Sequence, residues 1–319
     1  MKLWEYTTDD VDEMVAHLAK AGSDNEEIQL TAGRLGFRAS VIELPGVSIR
    51  WNRFGQSLLF RQVIQREAFR FGFLLERSPP LHHSGIHIPA GQGILQAPLS
   101  EHEYVNGRQT ESLIVSVSLE IAQKLGWHLS SDVTHKFQAT TRNALIRQCR
   151  KITATAKCSA PIDRFDELAL RDDLLDHLTR AVEPWMRVKN KDGSEGQSNR
   201  AAYYVFRRAV KAVAQNQWES LSIPALAEYV KVSERTLYRA FDRWVGIGPY
   251  EFFTLSRLHA FRRDLVTGDP HRGKIARAAR INGFDELSRL AQNYKRHFGE
   301  LPSETLAKRS ELSGRAAGS

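Results

Sequence analysis

IPALAEYVKVSERTLYRAFDRWVGIGP, residues 223–249, and IARAARINGFDELSRLAQNYKRHFGELP, residues 275–302, are imperfect copies of one pattern. Ile223 and Ala227 match Ile275 and Ala279 at an offset of 52. Leu237, Phe241, Gly246 and Pro249 match Leu290, Tyr294, Gly299 and Pro302 at an offset of 53, so the second copy carries one extra residue in its turn. The first copy reads as helix, tight turn, helix. Ala227 is the small residue that lets the second helix cross the first closely, and Val232 plugs the angle after a turn at Lys231. Ser233 offers its hydroxyl as an N-cap. Leu237, Ala240 and Phe241 then fall on one face, leaving Glu234, Arg235, Tyr238, Arg239 and Arg243 on the other. A capped helix showing arginines and a phenol outward suits the major groove of duplex DNA. A basic face alone would equally fit a solvated helical bundle; the spacing and the repeat favour the groove.

The second copy follows the same logic. Ile275, Ala278 and Ala279 pack its first helix, Asn282-Gly283 makes the turn and Phe284 is the plug. Leu290 and Tyr294 go inward, while Leu287, Ser288, Arg289, Ala291 and Gln292, with Lys295, form the candidate DNA-facing side. Between the copies, YEFFTLSRLHAFRRDLV (250–266) has Phe253, Leu255, Leu258, Phe261 and Leu265 as the marks of a buried helix. At ~1.5 Å per residue it spans about 26 Å. That is long enough to hold two reading heads near the ~34 Å of one DNA turn.

Charge agrees with this placement. The chain of 319 residues has a formal charge of +8; residues 200–319 carry 21 Lys+Arg against 12 Asp+Glu, the rest 24 against 25. One end is thus suited to a polyanion and the other is not. At 42% hydrophobic and 26% charged residues, the chain can build a core in each half.

Outward from the repeat, RVKNKDGSEGQSN (187–199) reads as an exposed linker. Residues 1–186 then form one domain, 200–308 a second, and 309–319 a flexible tail. Residues 1–21 are expected to form an amphipathic helix on Val11, Met14, Val15 and Leu18. From Gly36 to Leu119, segments such as RASVIEL, SLLFRQVI, AFRFGFLL and SLIVSVSL predict short strands of a sandwich or small cupin-like barrel. Residues 119–186 return to helical spacing, with Phe165, Leu168, Leu175, Leu178 and Val182 on one face. The fold class is α+β: a β-rich N-terminal domain with trailing helices, then an all-α domain of two tandem helix-turn-helix units joined by a long helix. MKLWEYTTDDVDEM at the start has no apolar run, and no stretch reaches the ~18 apolar residues of a membrane span. The expectation is a cytoplasmic protein.

The strings LAEYVKVSERTLYRAF, RLHAFRRDL and GFDELSRLAQNYKRHFGELPSETL resemble the DNA-binding domain of the AraC/XylS family of bacterial transcription regulators. The resemblance covers residues 200–308, about a third of the chain. GIGP (246–249) and TGDPHRGK (267–274) resemble the ethanolamine-operon-regulator-like branch. The resemblance implies base-edge roles for Arg235, Tyr238 and Arg239, and for Leu287, Ser288, Ala291 and Gln292. It also implies an effector-binding or dimerising N-terminal domain, with promoter DNA, RNA polymerase and a small-molecule effector as partners. The sequence assigns no residues to the effector. The chain departs from the family at Lys231, where a turn glycine is common, and at Gln292 and Asn293, where an arginine and a small residue are.

Two rival readings remain. His82, His83, His87 and His102, with Glu101 and Glu103, have the composition of a cupin-type metalloenzyme site, but the histidines are adjacent or four and five apart, not separated by one residue. Cys149 and Cys158 do not have zinc-ligand spacing, and no Gly-rich phosphate loop, nucleophile elbow or zinc-protease helix occurs. No enzyme, metal or cofactor is expected. The other rival, a constitutive DNA binder, would leave the ~190 residues before the repeat to oligomerisation.

Overall fold

A computed structural model describes residues 1–20, 23–64, 68–96, 98, 100–127, 137, 139–158, 163–186, 197–215, 222–267, 271 and 273–308. The proposed tail lies outside these residues, as do 187–196 of the proposed linker. The rest of that segment, 197–199, opens a helix.

Alternating burial builds two antiparallel sheets. The first runs β1 (Lys2–Thr8), β3 (Phe37–Leu44), β4 (Val47–Phe54), β11 (Thr110–Ser118), β6 (Ala68–Leu74) and β9 (Gly93–Gln96). The second runs β2 (Ser23–Gln29), β5 (Leu58–Ile64), β10 (Glu101–Asn106), β7 (Leu81–His83) and β8 (Ile86–Ile88). Leu113, Val115 and Val117 of β11 turn outward onto helices, while Ser112 and Ile114 face a cavity between the sheets. The helices on that outer face are α2 (Leu119–Lys124), α3 (Ala139–Lys157) and α4 (Arg164–Met186). Leu145, Cys149 and Ile152 of α3 and Leu174, Leu178 and Val182 of α4 pack there on Phe69, Phe71 and Phe73.

Two expectations need correction, and one segment given no reading above proves to be a strand. Residues 1–21 are not one helix: Lys2–Thr8 pairs with β3 in register from Lys2↔Glu43 to Thr8↔Phe37, and the helix α1 is Val11–Lys20. The aromatic and β-branched residues of KLWEYTT found an open sheet edge, which a local reading of helical spacing does not register. The polar segment SDNEEIQ is strand β2, held by pairing with β5. Phe165 is 80% exposed on α4, not part of its buried face.

The outer face of the second sheet is covered by the C-terminal helices. These are α5 (Gln197–Gln215), α6 (Ile223–Tyr229), α7 (Glu234–Val245), α8 (Pro249–Val266), α9 (Lys274–Ile281) and α10 (Leu287–Phe298). Ile28, Leu30, Leu59 and Val105 of the N-terminal part share a core with Phe206, Ala209, Leu237, Phe241 and Phe252. At ~1.5–3 kcal/mol per aliphatic side chain, exposing those four would cost several kcal/mol, so docking is the favoured state.

Candidate nucleic-acid interface

Each copy of the repeat folds to the same local geometry. In the first, α6 ends at a turn in which the Val232 N–H donates to the Ala227 carbonyl at 3.0 Å; in the second, Phe284 N–H donates to Ala279 at 2.9 Å. The six matched residues and the extra residue thus acquire a place. The register agrees through the plug residue, and the slip lies between the plug and the second helix, where Asp285 and Glu286 replace the single Ser233. Both second helices stop on a left-handed glycine. Gly246 (φ 74°) bonds back to Asp242 and Gly299 (φ 80°) to Lys295. There only a residue without a Cβ turns the chain without strain.

The packing residues lie as the spacing requires. Ala227, Leu237, Phe241, Ala279, Leu290 and Tyr294 are each at most 3% exposed. Val232 and Phe284 are half-buried plugs against their cores. The guanidinium of Arg257 on α8 sits 5.3 Å from the centroid of the Phe284 ring and donates to the Gly283 carbonyl at 3.2 Å. This ties the second turn to the connecting helix. That helix is buried through Phe252, Leu258, Phe261 and Leu265, with Phe253 and Leu255 only partly covered.

The opposite faces are open. Ser233, Glu234, Arg235, Tyr238, Arg239 and Arg243 of the first unit are exposed, as are Leu287, Ser288, Arg289, Gln292 and Lys295 of the second; Ala291 is half-buried. Ser233 caps α7 by accepting from the Thr236 N–H at 3.2 Å. The second helix lacks such a cap. Its N-cap residue is Glu286, with no side-chain bond to the helix N–H groups, and Ser288 donates instead to the Glu286 carboxylate at 3.3 Å. The extra residue has displaced the capping position.

The two turns also differ in strain. Gly283 takes a φ of 69°, whereas Lys231 is forced to 54°. A left-handed non-glycine residue costs about 1–2 kcal/mol. Lys231→Gly is therefore expected to raise stability by about 1 kcal/mol, read as a higher urea midpoint at unchanged m. A lowered midpoint would show that the Lys231 side chain outweighs the strain.

The histidines of the rival metal reading fall into two pairs, His82 with His87 at 5.4 Å between ring centroids and His83 with His102 at 5.0 Å. His82 donates from Nδ1 to the Trp244 carbonyl at 3.1 Å and stacks on that indole, while His83 bonds His102 at 3.1 Å and His102 bonds Ser100. Burial and the neighbouring His102 push His83 down to about 3, so it stays neutral. Among the described residues no group of three or more His, Cys, Asp or Glu side chains converges as metal ligands. Nor, among them, is any helix long and apolar enough to cross a membrane.

What sequence reading missed is the polar seam between the two parts. Arg262 of α8, 2% exposed, binds Asp10 at 2.5 Å, Asp12 at 2.6 Å and Glu300 at 2.8 Å, and donates to the Tyr294 hydroxyl at 2.9 Å. The Gln29 N–H donates to His259 Nε2 at 3.0 Å, and His297 donates to the Gln29 carbonyl at 3.1 Å. Glu103 of β10, 2% exposed, pairs with Arg61 at 2.9 Å and lies 3.7 Å from Arg207 of α5. The sequence signal that could have found this seam is the position of Arg262 in RLHAFRRDL, where it falls at helical spacing on the apolar stripe of Leu258, Phe261 and Leu265.

Compared with known proteins, residues 226–308 match the model of a helix-turn-helix domain. The "XylDLEGF operon transcriptional activator 3" of Pseudomonas putida is 34% identical over 104 residues, 33% of this chain and 31% of that protein. The "XylDLEGF operon transcriptional activator 2" of the same organism is 34% identical over 102 residues, 32% of this chain and 65% of that protein. The chain therefore spans less than two thirds of the length of these relatives. Among solved structures, the AraC-like transcriptional activator CuxR aligns over 88% of this chain and 99% of its own at 10% identity, with a TM-score of 0.46.

Proposed function

From a chain whose C-terminal domain belongs to the AraC/XylS type of helix-turn-helix regulators, we propose an effector-responsive transcription regulator that grips promoter DNA in two successive major grooves. The observation that carries this is the doubled turn: the same plug-to-alanine hydrogen bond in each copy, followed each time by a helix whose outer face is open. Arg235, Tyr238, Arg239 and Arg243 supply the first head's base and phosphate contacts, with Ser233 and Glu234 at its N-terminus. Leu287, Ser288, Arg289, Ala291, Gln292 and Lys295 supply the second's.

Residues 1–186 receive the effector and pair two copies of the chain, and 200–308 address DNA and RNA polymerase in the cytoplasm. The effector site we assign is the cavity between the sheets, about 70 Å³ in volume and lined by Phe54, Phe73, Tyr104, Asn52, Gln62 and Asn106. The Asn52 Oδ1 there is buried without a hydrogen-bond partner. An apolar wall with an unpaired amide acceptor, in a space well under the ~300–1,000 Å³ of a drug-sized ligand site, fits a neutral molecule of a few heavy atoms that donates a hydrogen bond. No reaction is assigned to the chain.

Selection from random duplexes with the full-length chain tests the reading. Two half-sites about 10 base pairs apart are expected; recovery of no common sequence overturns it. On the selected duplex, Arg239→Ala is expected to lose roughly 1–3 kcal/mol and to relax preference at one base pair. An equal loss on every sequence would make Arg239 a phosphate contact.

A further inference from the structure

The two helix-turn-helix units share one helix, α8, but not one core. α6 and α7 pack with α5, with Phe252 at the start of α8, and with Ile28, Leu30, Leu59 and Val105 of the N-terminal sheet. α9 and α10 pack with Leu258, Phe261 and Leu265 at the other end of α8, and with Val11, Met14, Leu35 and Phe37. Each core is completed by the N-terminal domain.

Each also has its own polar clamp. At the first unit, Trp244 of α7 is stacked by His82, whose ring N–H holds the Trp244 carbonyl. Next to it, Glu103 meets Arg207. At the second, Asp10 and Asp12 hold Arg262, which in turn holds the Tyr294 hydroxyl on α10. Gln29 engages His259 and His297 through its backbone. Despite this docking, the outer faces of α7 and α10 stay open.

We propose that the N-terminal domain is a template that sets the placement of the two heads relative to each other, through one clamp per head. The inference rests on the DNA-reading assignment for its meaning but not for its test. The template also connects to the cavity. Along β10, Tyr104 and Asn106 line the space between the sheets, while Glu103 and Val105, alternating with them, face the first head. A molecule that shifts β10 from inside thus moves the clamp outside it, because successive residues of a strand are rigidly opposed.

The test measures head-to-head distance without DNA. Spin labels are placed on the full-length chain at Asp242→Cys and Asp285→Cys, both exposed and outside the proposed contact set, in a Cys158→Ser background. Pulsed electron spin resonance is expected to give one narrow distance distribution. Asp10→Asn combined with Asp12→Asn, and separately His82→Ala, should each broaden it and add a longer component, with helix content unchanged by circular dichroism. A narrow, unshifted distribution in both variants overturns the proposal, because α8 alone would then hold the heads. If one variant fails to fold, the other decides by the same criterion. Failure of the wild-type chain, with its narrow distribution, to select any duplex would reject the regulator reading, while broadening in the variants would leave the template standing.

Discussion

Arg262→Met should destabilise the chain by about 3–5 kcal/mol, read from the urea midpoint at pH 7. Methionine is of similar reach, so the cavity it leaves is small, and the cost comes from charge. Three carboxylates, Asp10, Asp12 and Glu300, themselves 19%, 27% and 13% exposed, would then face one another where a buried guanidinium had stood. The loss should shrink as pH falls. Burial pulls Glu300 upward, but hydrogen bonds from Lys308, Thr305 and Arg262 outweigh it and hold the group down to about 2, against an ordinary 4.5. A carboxyl lowered on folding contributes stability that is complete above its unfolded value and disappears as pH falls through its folded one. Glu300 therefore helps the wild type above pH 4.5 and stops helping by pH 2. Asp12 runs the other way, since burial raises it despite Arg262. Held above its ordinary value, it needs the arginine least in acid. Measured at pH 3, the variant should lie closer to wild type. A gap unchanged from pH 7 to pH 3 would show that Arg262 acts by packing alone.

Affinity for the selected duplex should fall roughly 10²–10³-fold between 50 and 200 mM salt, a slope near −4 to −5 for ~5 neutralised phosphates. Residues 200–319 hold all the excess positive charge of the chain, and Arg235, Arg239, Arg243, Arg289 and Lys295 stand exposed on the two heads. Each would displace condensed counterions on binding. A flat salt response, measured by fluorescence anisotropy with the full chain, would remove the electrostatic account and leave a surface that meets some other ligand. Within the proposed contact set the second head offers two cations, Arg289 and Lys295, against three on α7, and α10 has no side-chain cap. Substitutions there should reduce the slope less than substitutions on α7.

The two heads were legible in the sequence because they are built from local rules. Ala227 and Ala279 mark close crossings, Gly246 and Gly299 mark left-handed ends, and Ser233 marks a cap; each acts within a few residues of itself, so one chain read linearly contains it. The missing cap on the second head was not legible, because a one-residue insertion moved the N-cap from a serine-like position to Glu286. At the other end of the chain, β1 and β2 became strands through partners found far along the sequence.

The amino-acid order by itself determined the doubled helix-turn-helix, the buried helix between the copies and the concentration of positive charge around them. All three follow from side-chain period, turn chemistry and composition, which need no distant partner. Only the tertiary structure decided that both units dock on the N-terminal part, the first on β2, β5 and β10 and the second beside α1 and β3, that Asp10 and Asp12 meet Arg262 across some 250 residues, and that the outer faces of α7 and α10 stay exposed while docked. Such pairings depend on which surfaces the folded sheets present to each other. An Asp near the start and an Arg near the end carry no mark of one another until the apolar cores on either side have brought them within hydrogen-bond reach.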